Sequence, residues 1–381
     1  AALTQKLVVI TGGPGTGKTT LIRGVVEILG RKDQKVVLAA PTGRAAKRLS
    51  EATGIAASTI HRLLEFNPIT GTFTRTRERP IEADCLVIDE ASMLDVELAA
   101  MLLEAIPPAT RVVFVGDADQ LPSVGPGNVL ADLIDSNCVP VIRLDEIYRQ
   151  AERSLIVENA HRINAGQMPI LDDDPASSDF FFVARDEPTA ASELAMEFVT
   201  QRIPDRFDLD PIDDIQVLSP MHRGELGVTY LNERLQQELT PPGPELVVGW
   251  RRFRVGDKVM QTRNNYELDV FNGDLGRVTG IELENRELIV DFDGRMVIIP
   301  TDALEDIVPA YACTIHKSQG SEYPAVVIVL HHQHHVMLQR NLLYTAISRG
   351  RRLQRLGACQ KHHARRTAPT GRRVIDVLIR E

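Results

Sequence analysis

The stretch Ile10–Thr20, ITGGPGTGKTT, decides the fold. It follows the apolar run KLVVIT (6–11), which has the length and composition of a buried parallel strand. After it, TTLIRGVVEIL places Leu21, Val25, Ile28 and Leu29 at helical spacing. Between strand and helix, Gly12 to Thr19 match G-x-x-x-x-G-K-[ST]. Such a loop bares backbone N–H groups to phosphate oxygens, and the helix N-terminus adds positive potential. The expected nucleotide contacts are Gly13, Pro14, Gly15, Thr16, Gly17, Lys18, Thr19 and Thr20. Lys18 reaches the β- and γ-phosphates of ATP and Thr19 the Mg²⁺ ion. The dinucleotide pattern G-x-G-x-x-G is not matched here.

Two further strand ends extend this site. CLVIDEASMLD (85–95) reads as a buried strand that ends in Asp89 and Glu90, where open α/β sheets place ligands. Asp89 is the expected second metal residue, and Glu90 the residue that orients or deprotonates the attacking water. A glutamate beside the metal-binding aspartate favours hydrolysis over transfer to a small acceptor. RVVFVGDADQLPSVGPG (111–127) repeats the layout with Asp117, Asp119 and Gln120 at its polar end. Gln120 is placed to sense a γ-phosphate.

With 381 residues, 43% hydrophobic and 25% charged, the chain has the composition of a soluble globular protein of two or more domains. No apolar run approaches the ~18 residues of a membrane span, and no signal-peptide layout opens it. Cys85, Cys138, Cys313 and Cys359 are scattered without C-x-x-C pairs, so a cytoplasmic location is expected and a cysteine metal site is not. The net charge of -9 is uneven. Residues 1–80 hold 13 Lys and Arg against 5 Asp and Glu, residues 340–381 hold 11 against 2, and residues 81–220 hold 8 against 28. Basic ends permit a cationic track for nucleic acid without requiring one.

The ordered stretches GGPGTGKTT, VLAAPTGRAAKRL, STIHRLL, LVIDEASMLD, FVGDADQLPSVGPG, LDEIYRQ, YACTIHKSQGSE and NLLYTAISRGRR resemble the motifs of superfamily 1 helicases, RecD-like branch, over roughly positions 6–352. The resemblance implies an α/β fold with two RecA-like P-loop motor domains. It also implies ATP and Mg²⁺ as nucleotide and metal, and 5′-to-3′ movement on single-stranded DNA that unwinds duplex DNA in repair or recombination. The implied partners are single-stranded DNA and single-strand/duplex junctions, with no membrane and a monomeric motor. Contacts to the strand are implied for Pro41, Thr42, Gly43, Arg44, Thr59 and His61, and in the second motor domain for Thr314, His316 and Lys317. Gly320 and Glu322 are implied nucleotide residues, and Arg149 and Arg349 implied arginine fingers that make hydrolysis depend on cleft closure. A glutamine that reads adenine is expected upstream of the P-loop, and Gln5 is too near the strand for that task.

The expected domains are 1–138 for the first motor, 139–244 with 310–381 for the second, and 245–309 as an SH3-like β-barrel insertion. Residues 251–300 alternate β-rich runs with turn signals, and FDGR (292–295) is a two-residue hairpin turn candidate. Tyr266, Phe271 and Arg263 are candidates to stack on bases. In FNPITGTFTRTRERP (66–80) the alternating residues suggest a polar β-hairpin, implied by the resemblance to be the pin that splits the duplex. HHQHH (331–335) has no carboxylate or cysteine beside it and is read as structural. After the last motif no apolar closing strand is visible. A switch or clamp ATPase that does not unwind, and an RNA helicase, stay open as alternatives, because such motors grip backbone rather than bases.

Overall fold

The computed structural model describes residues 1–146, 154–171, 178–185, 187–335 and 337–358, of which 354–358 are described by backbone alone. The chain divides into two compact units at Arg153/Ser154.

The first unit contains β1 (Leu7–Gly12), β2 (Val36–Ala40), β3 (Ala57–Thr59), β4 (Phe66–Asn67), β5 (Thr72–Phe73), β6 (Cys85–Ile88), β7 (Arg111–Gly116) and β8 (Val141–Leu144). Its helices are α1 (Lys18–Gly30), α2 (Gly43–Thr53), α3 (Ile60–Leu63), α4 (Val96–Glu104) and α5 (Val129–Asp135). Six strands form a parallel sheet in the order β3-β2-β6-β7-β1-β8. Its strands are apolar on both faces. Val9, Ile88 and Phe114 pack into one core, while Val8, Ile10, Val87 and Val113 pack into the other. A sheet buried on both sides reads as continuous Val/Ile/Leu runs, as these do.

Placing β8 beside β1 corrects the expected boundary at 138. The strand Val141–Leu144 completes the first sheet, so the unit runs on to Arg153.

The second unit contains β9 (Phe180–Ala184), β10 (Ile215–Ser219), β11 (Glu245–Val248), β12 (Arg251–Arg254), β13 (Lys258–Gln261), β14 (Leu275–Glu282), β15 (Glu287–Phe292), β16 (Arg295–Ile299), β17 (Ile307–Pro309), β18 (Ala312–Thr314), β19 (Tyr323–Leu330) and β20 (Gly350–Ala358). Its helices are α6 (Leu155–Asn164), α7 (Pro188–Glu197), α8 (Ile203–Phe207), α9 (Val228–Leu239) and α10 (Arg340–Ile347). The parallel sheet β18-β10-β19-β20-β9 forms its motor core. The closing strand, which the sequence hides, is β20. It lies between β19 and β9 and is bonded to both, so backbone pairing rather than apolar side chains selects it.

Inserted between α9 and β18 is an antiparallel sheet, β16-β15-β14-β13-β17, with the hairpin β11-β12 sharing its core through Leu246 and Phe253. At FDGR the turn residues Asp293 and Gly294 have φ of 54° and 87°, as a two-residue hairpin turn requires. A buried polar joint fastens this barrel to the motor core. Asp257 accepts hydrogen bonds from the Arg254 N–H (2.7 Å), Gln236 Nε2 (2.5 Å) and the Tyr311 hydroxyl (2.9 Å), and Tyr311 also meets Thr240 Oγ1 at 2.5 Å. Burial raises the pKa of Asp257, against the pull of its hydrogen bonds, and burial also raises that of Tyr311.

Candidate functional site

In the first unit the parallel order β6-β7-β1 brings three chain segments together at the C-terminal ends of the strands. They are Asp89–Glu90 after β6, Asp117–Gln120 after β7 and the P-loop after β1. The P-loop keeps its shape through Thr16, whose buried hydroxyl donates to the Gly13 carbonyl at 2.8 Å. Gly15 and Gly17 have φ of 75° and 81°, a region other residues enter at a cost. Gly12 is required for a different reason: a Cβ there would lie 2.7 Å from Thr16 Oγ1 and 2.8 Å from the Leu144 carbonyl. Lys18 and Thr19 open α1, and the Lys18 ammonium donates to the carbonyls of Gly12 (2.6 Å) and Gly13 (2.9 Å).

Two features of this edge suit a nucleotide with its divalent cation. Burial, reinforced by Glu90, pushes Asp89 up to about 7, with Lys18 and Arg48 pulling the other way. A cation beside it restores the ionised form. Gln120 supplies the second feature. Its Nε2 donates to Asp117 Oδ2 at 3.0 Å, while its buried Oε1 has no hydrogen-bond partner. An orphaned acceptor at the rim of a phosphate loop fits a water or hydroxyl donor. Glu90 is held at φ 51°, a left-handed backbone that a non-glycine residue keeps only when its surroundings impose it.

Asp117, fully buried, accepts from both Gln120 and the Asp119 N–H, so it fixes the Gln120 side chain. In the sequence it stands out only as the first of three polar residues, Asp117, Asp119 and Gln120, that follow the strand. Arg48, in the stretch after β2, acts on Asp89 through space because β2 and β6 are neighbours.

The expected strand contacts of this unit occupy the other half of the same edge. Pro41, Thr42, Gly43 and Arg44 follow β2, and Thr59 and His61 follow β3. Thr42 caps α2 by accepting from the Ala45 N–H (3.3 Å), and Thr59 caps α3 by accepting from the Arg62 N–H (3.2 Å). His61 is half-buried against Phe66 and Phe73, and that burial lowers its pKa. The hairpin is smaller than the sequence suggests: its strands are two residues each, and residues beyond Phe73 fold back on Glu65 instead of extending the ladder.

In the second unit Gly320, Glu322 and Arg349 are brought together. Arg349 donates to the Thr345 carbonyl (3.1 Å), the Ser321 carbonyl (3.0 Å) and Ser348 Oγ (3.0 Å), and is only 3% exposed. Glu322 pairs with Arg351. Arg149 lies outside the described residues.

Thr314 ends β18, and His316 and Lys317 form the turn after it. Burial lowers the pKa of both His316 and Lys317, and Lys317 Nζ donates to Asn272 Oδ1 of the barrel at 2.9 Å. Thr314 and Lys317 border a recess of about 580 Å³ between barrel and motor core, lined also by His222, Trp250, Arg251 and Arg252. Trp250 is 64% exposed at the β11-β12 turn, an aromatic the sequence reading passed over although it is the single tryptophan and is followed by two arginines. Of the candidates named instead, Tyr266 and Phe271 are less open and pack ring against ring at 6.0 Å, while Arg263 is exposed and lies 3.7 Å from Asp306.

His331 and His334 form a reciprocal cap. The His331 N–H donates to His334 Nδ1, and His331 Nδ1 accepts from Gln333 N–H. Among the described residues no cluster of His, Cys, Asp and Glu is arranged for a metal ion, and no helix is long and apolar enough to cross a membrane.

Comparison with known proteins agrees with this architecture. Family models described as an AAA domain, an ATP-dependent RecD-like DNA helicase SH3 domain and a UvrD-like helicase C-terminal domain match residues 1–126, 231–292 and 309–356. Over 347 residues the chain is 40% identical to the ATP-dependent RecD2 DNA helicase of Deinococcus radiodurans, covering 91% of this chain and 46% of that protein. Over 389 residues it is 34% identical to the RecBCD enzyme subunit RecD of Mycolicibacterium smegmatis, covering 94% of this chain and 69% of that one. The chain thus spans about half the length of the first relative. Solved Pif1 helicases share the fold. The Bacteroides enzyme in complex with ADP-AlF3 and ssDNA has a TM-score of 0.58 at 21% identity, covering 93% of this chain and 89% of that one. The Candida albicans enzyme has a TM-score of 0.54 at 19% identity, covering 93% and 91%. With three helicase-type family models matched in order and a RecD relative 34% identical over 69% of that protein's length, the chain belongs to the RecD-like family of DNA helicases.

Proposed function

We propose that this chain couples ATP hydrolysis to 5′-to-3′ movement along single-stranded DNA and so separates duplex strands. The observation that carries the reading is the meeting of Lys18, Asp89, Glu90 and Gln120 at one sheet edge, with the Gln120 acceptor left free. Lys18 and Thr19 would hold the phosphates and, with Asp89, the Mg²⁺ ion, which would supply positive charge against the phosphates. Glu90 accepts the proton of the attacking water, and Gln120 orients that water through Oε1. Arg349, with Arg149, supplies positive charge to the transition state.

The strand lies along the β2-β3 half of the first sheet edge and over Thr314 to Lys317 in the second unit. Trp250 and its arginines beside Lys317 offer one base a stacking face and its phosphates a cationic rim. The hairpin at 66–80 meets the junction. The Deinococcus relative is named as an ATP-dependent DNA helicase, and the Bacteroides Pif1 structure contains ssDNA, which supports this choice of strand over RNA.

The test measures ATP turnover alone and with single-stranded DNA, RNA and duplex, then unwinding of duplexes with a 5′ or a 3′ tail. DNA-stimulated turnover with unwinding from the 5′ tail alone is expected. Stimulation without unwinding identifies a switch or clamp, stimulation by RNA alone an RNA motor, and unwinding from 3′ tails reverses the direction.

A further inference from the structure

The hairpin in the first unit has no core of its own. Its two ladder pairs are Phe66↔Phe73 and Asn67↔Thr72, and a ribbon that short is not stable by itself in water. Its root is what holds it. The rings of Phe66 and Phe73 are 5.1 Å apart, and both lean on the imidazole of His61, at 5.6 Å and 5.8 Å. His61 belongs to α3, which directly follows β3 at the edge assigned to the strand.

A second fastening lies on the far side of the root. Arg75 Nε donates to Glu65 Oε1 at 2.9 Å and its Nη2 lies 2.7 Å from the same oxygen, while Nη1 donates to the Pro80 carbonyl at 3.1 Å. Arg79 approaches the other Glu65 oxygen at 3.3 Å, and the N–H groups of Thr74 and Arg75 donate to the Leu64 carbonyl. Glu65 itself sits at φ 53°, a conformation that persists only where neighbours over-determine it. Meanwhile Ile69, at the tip, is 94% exposed. The segment is therefore clamped at its base and bare at its end. Burial lowers the His61 pKa, which favours packing against the phenyl rings over holding a phosphate.

We propose that His61, Phe66 and Phe73, backed by the Glu65–Arg75 pair, form a strut that fixes the hairpin rigidly to the strand-gripping segment, so that strand separation depends on it while grip and ATP turnover do not. The proposal rests on the reading that this chain unwinds DNA. An obstacle that yields when the duplex presses on it separates nothing, and a two-pair ribbon yields unless its root is fixed. Phe66 and Phe73 are positioning residues: they hold Ile69 and its neighbours in place and touch no nucleotide themselves.

The test uses the chain as it stands, with Phe66→Ala and Phe73→Ala singly and combined, and Phe73→Tyr as the conservative partner. Three quantities are measured for each: unwinding rate on a 5′-tailed duplex, ATP turnover against single-stranded DNA concentration, and melting temperature. The combined alanine variant is expected to lose about tenfold or more in unwinding, with turnover and half-saturating DNA within about twofold of the parent, because misplacing a positioned group is costly only for the step that uses it. Phe73→Tyr keeps its ring at the root and retains unwinding. Parental unwinding by the combined variant overturns the strut. So does a parallel fall in turnover and DNA affinity, which assigns the rings to the fold or the grip. A parent chain that hydrolyses ATP on single-stranded DNA and unwinds no duplex fails earlier, before any variant is made, and removes the function reading together with the strut.

Discussion

Lys18 of the first unit and Arg349 of the second both place a cation among backbone carbonyls, but the two are held differently. Lys18 has a half-buried ammonium on a flexible stem and rests on the carbonyls of its own loop. It can exchange those carbonyls for phosphate oxygens without disturbing the core. Arg349 is almost wholly enclosed, and its planar fork is fixed at three points by α10 and by Ser321. The lysine is thus a mobile charge suited to binding, whereas the arginine is a preset charge suited to a transition state.

This contrast breaks first at Lys18→Ala. Removing the ammonium is expected to abolish ATP turnover while the melting temperature stays at the parental value, and measurable turnover at high ATP refutes the loop's role. Arg349→Ala is the next largest effect. Hydrolysis at saturating ATP should fall by ~10³-fold with nucleotide affinity retained. Arg349→Lys should not rescue it, since an ammonium lacks the planar fork. If affinity falls while saturated turnover survives, Arg349 binds nucleotide as Lys18 does, and the contrast disappears.

Smaller effects sharpen it. The second unit relies on buried polar fastenings, and Tyr311→Phe leaves Asp257 one donor short in its enclosed joint. Urea denaturation should show a loss of about 1–3 kcal/mol. An unchanged midpoint would mean the hydroxyl is dispensable. In the first unit the buried acid works against stability. Asp89 has a folded pKa of about 7, above the ordinary 3.8, so the stability it allows below 3.8 is lost as pH rises toward 7. Without metal, Asp89→Asn should therefore melt higher than the parent, by a few degrees more at pH 8 than at pH 5. An equal difference at both values refutes the shift.

What the sequence made legible follows from how local each cause is. The phosphate loop depends on glycines at fixed spacing and on a lysine and threonine that open a helix, all within eleven residues. The turn at Asp293–Gly294 is equally local. By contrast, GRRLQRLGA becomes the strand β20 only because β19 and β9 offer it hydrogen bonds on both sides, which no property of its own residues announces. The alternation in TFTRTR points to a long ribbon, yet Arg75 finds Glu65 and draws the chain back after a single pair beyond Phe66. Val141–Leu144 reads as the start of a new domain by position and joins the old sheet by register. At the candidate site, the residues in the motifs could be named, but the link from Asp117 to Gln120 and the influence of Arg48 on Asp89 exist only in three dimensions.

The contact of Thr240 with Tyr311 has a consequence for how such a chain could be rebuilt. These residues stand where the polypeptide leaves the motor core for the barrel and where it returns, and their hydroxyls are 2.5 Å apart. The guest therefore enters and exits through one doorway. Closing that gap with a short turn would ask the host to bring together ends whose side chains already touch, so little loop-closure entropy is at stake. The barrel is in this sense a removable module: a version lacking it, or carrying another small domain with adjacent termini, should still fold its five-stranded motor sheet, provided Tyr311 and Gln236 are given new partners in place of Asp257.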